Sequence, residues 1–262
     1  MLHKRIIFAL LYSNGYFYLS RNFSLQKVGD ISWLKKNYGF DKTCNYIDEI
    51  LILLITKNPS KENIKNFCKD LASLRERIFI PITIGGGIRN LDDAKMYFDN
   101  GADKININYL VHLNYEEVKR ISSNFGSQSV SLMVDYKKIK KNYISFFNSG
   151  SEISYDIKKF LKILNKLSFG ELILNSIDRD GTGFGFDATI LKLIPKSFKH
   201  PILLMGGAGK PEHFKYVLEK KEVSGAITAN LFNFLGSGLE LTRKYCIEKK
   251  INLIQFFELK NL

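Results

Sequence analysis

At 262 residues and 45% hydrophobic content, the chain can bury one large core, and no stretch is apolar for long enough to span a bilayer. Its 39 Lys and Arg against 26 Asp and Glu give a formal charge of +13, but the basic residues are scattered among Asn and Ile, and no nucleic-acid-binding module is recognisable. Cys44, Cys68 and Cys246 share no metal-ligand or redox spacing, and an odd count argues against a disulfide framework; a reducing, cytoplasmic setting with neither metal nor organic cofactor is expected.

The chain opens on His3-Lys4-Arg5 and an apolar run from Ile6 to Leu11. This imitates a signal peptide, but the run is short and no small-residue cleavage site follows, so it reads as a first strand over 5–11. Further strands are predicted over 49–55, 80–84, 104–107, 129–135, 171–177, 201–205 and 226–229. Between them, Asp92-Asp93-Ala94, the capping run Asn114-Tyr115-Glu116-Glu117 and Pro211-Glu212-His213 mark helix starts. Eight strands alternating with helices, without a linker or a break in composition, predict one α/β domain over 1–262, a (β/α)8 TIM barrel.

The strands repeat. Pro81-Ile82-Thr83-Ile84-Gly85-Gly86-Gly87 is echoed by Pro201-Ile202-Leu203-Leu204-Met205-Gly206-Gly207, and Asp48-Glu49-Ile50-Leu51 by Gly170-Glu171-Leu172-Ile173, as in a barrel of two half-barrels. A strand that ends in Gly-Gly ahead of a helix points backbone N–H groups at one spot and suits a phosphate. Two such turns at matching places imply a substrate phosphorylated at both ends.

Asp135 ends the first strand of the second half. It is either a general acid or base, activated by desolvation, or an Asp that satisfies loop amides. The repeat sets Leu11 at the corresponding place in the first half. Asp178 and Asp180 are candidate acids or Asx-turn residues, and His112 and His213 read as helix-start residues. At the opposite end, Arg5, Glu49, Lys104 and Glu171 stand at the starts of the first, second, fourth and sixth strands. Arg5 and Leu11 lie on the same side of one strand, about 20 Å apart. The four charges are expected to close the barrel floor as a ring of ion pairs, which on this ground alone is equally well a structural plug.

These residues resemble the cyclase subunit of imidazole glycerol phosphate synthase over nearly the whole chain. The match is carried by Lys4-Arg5-Ile6-Ile7, Asp48-Glu49, Gly85-Gly86-Gly87-Ile88, Gly101-Ala102-Asp103-Lys104, Phe125-Gly126-Ser127-Gln128, Ser176 to Thr182, and Gly206 to Lys210 with Glu212-His213-Phe214. The resemblance implies a barrel that receives ammonia from a glutaminase on its N-terminal face and uses it at the other end on a bisphosphorylated intermediate. It implies phosphate contacts at Gly87, Asn108 and Tyr109 in one half and at Gly181, Gly207, Ala229 and Asn230 in the other. It makes Arg5, Glu49, Lys104 and Glu171 an ammonia gate.

The departures are equally specific. The family's two catalytic aspartates fall on Leu11 and Asp135, its lysine in the loop after the first strand falls on Leu19, and a further aspartate on Leu54. Tyr109 and Asn230 replace small hydroxyl residues. Leu10-Leu11-Tyr12-Ser13-Asn14-Gly15 resembles a divergent branch associated with acetamidino groups on surface sugars, whose barrel and glutaminase pass ammonia to a sugar amidotransferase. Three functions follow as expectations: ammonia conduction for sugar amidation, the histidine-pathway cyclase itself, and a non-catalytic scaffold that activates the glutaminase.

Overall fold

The computed structural model describes residues 3–38, 43–76, 78–229 and 237–254. Eight parallel strands close into a barrel: β1 (Arg5–Ser13), β4 (Glu49–Leu54), β5 (Ile82–Gly85), β6 (Lys104–Ile107), β7 (Val130–Ile139), β10 (Glu171–Ser176), β11 (Ile202–Met205) and β12 (Val223–Thr228). Pairing of β12 with β1 and of β7 with β10 completes the ring. The chain is an α/β barrel of the (β/α)8 type.

Every predicted strand falls on a barrel strand. The last one starts earlier than expected, at Val223, because Ser224 and Gly225 carry no strand signal of their own; Gly225 is held by pairing with Arg5 of β1 and Leu203 of β11, and Ser224 sits at a register irregularity. Four further strands escaped the sequence reading. β2 (Tyr16–Arg21) and β3 (Ser24–Asp30) extend β1 as an antiparallel hairpin; β8 (Asn142–Phe147) and β9 (Glu152–Asp156) extend β7 in the same way. The signal for the first was present: Asn14-Gly15, both at positive φ, is a two-residue hairpin turn between Tyr12-Ser13 and the aromatic run Tyr16-Phe17-Tyr18. Leu19, expected in a loop, lies in β2 opposite Gln26.

Around the barrel lie α1 (Ile31–Tyr38), α2 (Lys61–Arg75), α3 (Leu91–Asp99), α4 (Tyr109–Leu113), α5 (Tyr115–Phe125), α6 (Ile157–Leu164), α7 (Pro211–Leu218) and α8 (Gly238–Glu248). Their starts have local causes. Asn90 and Asn114 accept from the third-residue N–H of α3 and α5, and Pro211 opens α7. None of the described helices is long and apolar enough to cross a membrane.

Alternation along each strand separates two cores. Ile6, Phe8, Ile50 and Ile52 point outward to the helices, whereas Ile7, Ala9, Leu51, Met133, Ile173, Leu203, Met205 and Ile227 fill the barrel. The register also makes the half-barrel repeat explicit. Ile7 pairs with Glu49 as Ser131 pairs with Glu171, and Leu11 pairs with Leu53 as Asp135 pairs with Asn175. The two Gly-Gly turns obey the same twofold. A Cβ on Gly86 would lie 2.0 Å from Leu54 O and one on Gly206 2.6 Å from Ser176 O, so each turn passes too close to the preceding strand end for a side chain.

Candidate functional site

At the N-terminal mouth the four charged residues meet. Arg5 Nη1 is 3.0 Å from Glu49 Oε2 and Arg5 Nη2 is 2.5 Å from Glu171 Oε2; Lys104 Nζ is 2.6 Å from Glu49 Oε2 and 2.8 Å from Glu171 Oε1. Each cation bridges both acids, so the four side chains form a closed cycle. Glu49 and Glu171 are twofold mates and are buried, while the cations both come from the first half and keep side-chain exposures of 23% and 16% at the rim. Thr83 Oγ1 donates to Glu49 Oε1, giving this acid a third partner. Burial pushes the Glu171 carboxyl up, but Arg5 and Lys104 outweigh it and hold the group below the usual carboxylate range.

Above this ring the interior is largely apolar, with one buried polar pair, Asn106 Nδ2 donating to Ser131 Oγ at 2.9 Å, before the strand ends. There, Asp135 is 6% exposed and receives one amide N–H on each oxygen: Asn175 Nδ2 at 2.7 Å from β10, and Asn108 Nδ2 at 3.0 Å from the end of β6. Burial raises its carboxyl to about 7, against the pull of the two amides and with a smaller contribution from Asp180. A buried acid that titrates near neutrality is suited to proton transfer. At the twofold-related place stand Leu11 and Leu53, which neither donate nor accept.

A cavity of about 510 Å³ opens here. Asp135, Asn175 and Asn108 line one wall, Leu11 and Leu53 another, and the mouth includes Gly86, Gly87, Arg89 and Lys57. Of the residues expected at phosphates, Gly87, Asn108 and Tyr109 reach this cavity. Gly181, Gly207 and Ala229 are not among its lining, and Asn230 lies outside the described residues. For Gly181 the reason is the β2–β3 hairpin. Ser20 Oγ and Phe23 N both donate to Asp180 Oδ2, at 2.5 and 3.0 Å, and Asn22 N donates to Asp180 O. This brings Ser20 O onto Gly181, where an added Cβ would lie 2.2 Å away. Gly207 is tied down in turn, its carbonyl accepting from Gly185 N.

The remaining candidates make contacts within the fold. Asp178 Oδ2 accepts from Lys138 N and pins the β7–β8 hairpin. His213 starts α7 as expected and accepts from Gly209 N. His112 does not start a helix: it sits late in α4, stacked on Phe147 with ring centroids 5.0 Å apart, and burial lowers it to about 4. Leu54 belongs to the outer core, and Tyr109 opens α4. Sequence reasoning missed Asn175, Thr83 and the Ser20–Asp180 contact. Strand alternation from Glu171 was the available signal for the first.

Residues 39–237 match the model of the family described as histidine biosynthesis protein. The chain belongs to this family, in its HisF-like part. It is 42% identical over 245 residues to a protein of Parasynechococcus marenigrum (strain WH8102) provisionally named imidazole glycerol phosphate synthase subunit hisF2, covering 93% of this chain and 90% of that one. It is 38% identical to imidazole glycerol phosphate synthase subunit HisF of Saccharolobus solfataricus over 89% of this chain and 91% of the relative. The same subunit of Prosthecochloris aestuarii is 34% identical over 96% and 98%. In this HisF-like barrel the charged ring closes the N-terminal mouth, whereas at the other end Leu11 lies across from Asp135 in a cavity that Asp180, a second buried acid raised by desolvation, also lines.

Proposed function

We propose that this chain is the ammonia-accepting barrel of a glutamine amidotransferase pair. A glutaminase docks on the N-terminal face, ammonia crosses the Arg5–Glu49–Lys104–Glu171 ring and the apolar interior, and it is used or passed on at the Asp135 end. The observation that carries this reading is the closed four-charge cycle at the mouth of a largely apolar barrel. Stability alone is a poor reason for such a ring, since buried ion pairs seldom outperform well-packed apolar side chains. A neutral molecule as small as ammonia needs only one ion pair to part, and the largely apolar interior, without a charged group between the ring and the strand ends, favours it over ammonium.

Ammonia's destination follows from the other end. Cyclisation with acid-base work on two faces of a substrate calls for two groups, and Leu11 supplies none. The proposed acceptor is therefore outside the histidine pathway, the acetamidino branch with its sugar amidotransferase being the favoured case on the Leu10-to-Gly15 turn. A second reading, the histidine-pathway cyclase, is favoured by relatives 34–42% identical that bear that synthase's name. The two are separated by transforming the gene into a histidine auxotroph that lacks its cyclase subunit. Absence of growth with the protein expressed and folded is expected; growth establishes the second reading.

A further inference from the structure

Between the charged ring and Asp135 the barrel interior holds a polar pair that neither end uses. Lys104 and Asn106 lie two residues apart on the same side of β6, and Asn108 follows directly after the strand. Lys104 belongs to the ring and Asn108 donates to Asp135. Asn106 stands between them, about 7 Å above Lys104 by the rise of two strand residues.

The amide of Asn106 is held in one orientation. Its Nδ2 donates to Ser131 Oγ at 2.9 Å, and Ser131 Oγ spends its own proton on Ile105 O at 3.1 Å. A hydroxyl whose proton is committed can only accept, so Nδ2 faces Ser131 and Oδ1 is turned the other way. The register partners of Asn106 are Ser131 on β7 and Gly85 on β5, so on the second side no side chain covers the amide. Asn106 is 1% exposed and lines the cavity. Its Oδ1 accepts no hydrogen bond among the described residues and, unlike Asn175 Oδ1, is not sealed from contact.

An interior acceptor left unanswered is unfavourable, so this place suits a molecule that brings a donor. Asn106 and Ser131 are uncharged, the ring's four charges are spent on one another, and the remaining inward side chains, among them Met133, Ile173 and Leu203, are apolar. A cation would lose its hydration here with no anion to replace it. Ammonia loses little. It offers N–H groups to Oδ1 and a lone pair to the second N–H of Nδ2.

We propose that Asn106, oriented by Ser131, binds one neutral ammonia midway through the barrel, so that the route from the ring to Asp135 follows β6 rather than the barrel axis. This deepens the amidotransferase reading and rests on it.

The test is nuclear magnetic resonance of the isotope-labelled full chain, with the side-chain amide of Asn106 assigned through its own bonds. The chain is titrated with ammonium chloride, and with sodium chloride as control, at mildly acidic and at mildly alkaline pH, where neutral ammonia is scarce and plentiful. The Asn106 amide signals are expected to shift with ammonium chloride at alkaline pH only. Ser131→Ala, which frees the amide to turn, should raise the concentration at half-shift about fivefold, the equivalent of one hydrogen bond. Signals that stay still at alkaline pH, or that move as far at acidic pH or with sodium chloride, overturn the site in the wild-type chain alone. If ammonia shifts Asn106 but Lys104→Met and Arg5→Ala leave the use of glutamine nitrogen in the assembled complex unchanged, the site stands and the amidotransferase reading fails. If those variants change it and Asn106 stays silent, the reading stands and this site fails.

Discussion

Asn175 Nδ2 donates to Asp135 Oδ1 across 2.7 Å, and at the twofold-related place the same strand pairing joins Leu11 to Leu53. The half-barrels share a backbone plan, yet one strand pair carries a buried acid with its amide and the other two alkyl chains. Chemistry at the top of this barrel is accordingly one-sided.

The first consequence is a pH dependence. Asp135 goes from an ordinary 3.8 to about 7 on folding, so between these values the folded chain keeps a proton that the unfolded chain has released. Stability from this group is full below the unfolded value and is lost as pH rises through about 7. Asp135→Asn removes the titration. Its melting temperature relative to wild type is expected to rise between pH 4 and pH 8, by the equivalent of roughly a few kcal/mol. A difference that is flat with pH contradicts the raised carboxyl.

The ring at the other end has the opposite sign. Glu171 is held below the ordinary carboxylate range by its cations, so its contribution is present above that range and is lost in acid. Removing a member of a plug should cost about 3–5 kcal/mol and nothing else. An ammonia-conducting ring predicts more: in the assembled complex with its glutaminase, Lys104→Met and Arg5→Ala change the ratio of glutamine hydrolysed to product aminated while the complex persists. Unchanged stoichiometry in variants that remain folded reduces the ring to a plug and favours the scaffold.

Loss of the first-half acid sets an expectation for rate. General acid-base groups contribute roughly 10²–10⁴-fold, so ammonia-dependent cyclase turnover should lie at least about a hundredfold below that of a two-aspartate HisF subunit assayed alongside. Leu11→Asp alone should restore little. It introduces a carboxyl beside Leu53 on the apolar wall, where no asparagine corresponds to Asn175, and Leu19 still replaces the family's lysine.

Asp180 fastens the β2–β3 hairpin through Ser20 Oγ and two backbone amides, those of Asn22 and Phe23. Asp180→Ala leaves Ser20 and Phe23 without these bonds and should speed limited proteolysis at the turn 22–23, with a small change in global melting because the barrel strands are untouched. Proteolysis at the wild-type rate would mean that the hairpin is held by packing instead. Gly181→Ala should act in the same direction, since its Cβ would meet Ser20 O at a φ of +66°.

By itself the sequence determined the barrel. Eight apolar runs of strand length, the doubled Gly-Gly turns and the charges at four strand starts are local or periodic features, and alternation alone sends Arg5, Ile7, Ala9 and Leu11 to one side of a strand. The family motifs then identified Asp135 and the missing mate at Leu11. What only the tertiary structure decided depends on partners far apart in the chain. That each cation bridges both acids, that Asp135 is capped from two neighbouring strands, and that Asn175 is left with an unanswered acceptor are facts of distance across a closed sheet. The reach of the cavity was equally hidden: Ser20 and Asp180 are 160 positions apart, and their contact rather than any motif lays the hairpin over Gly181.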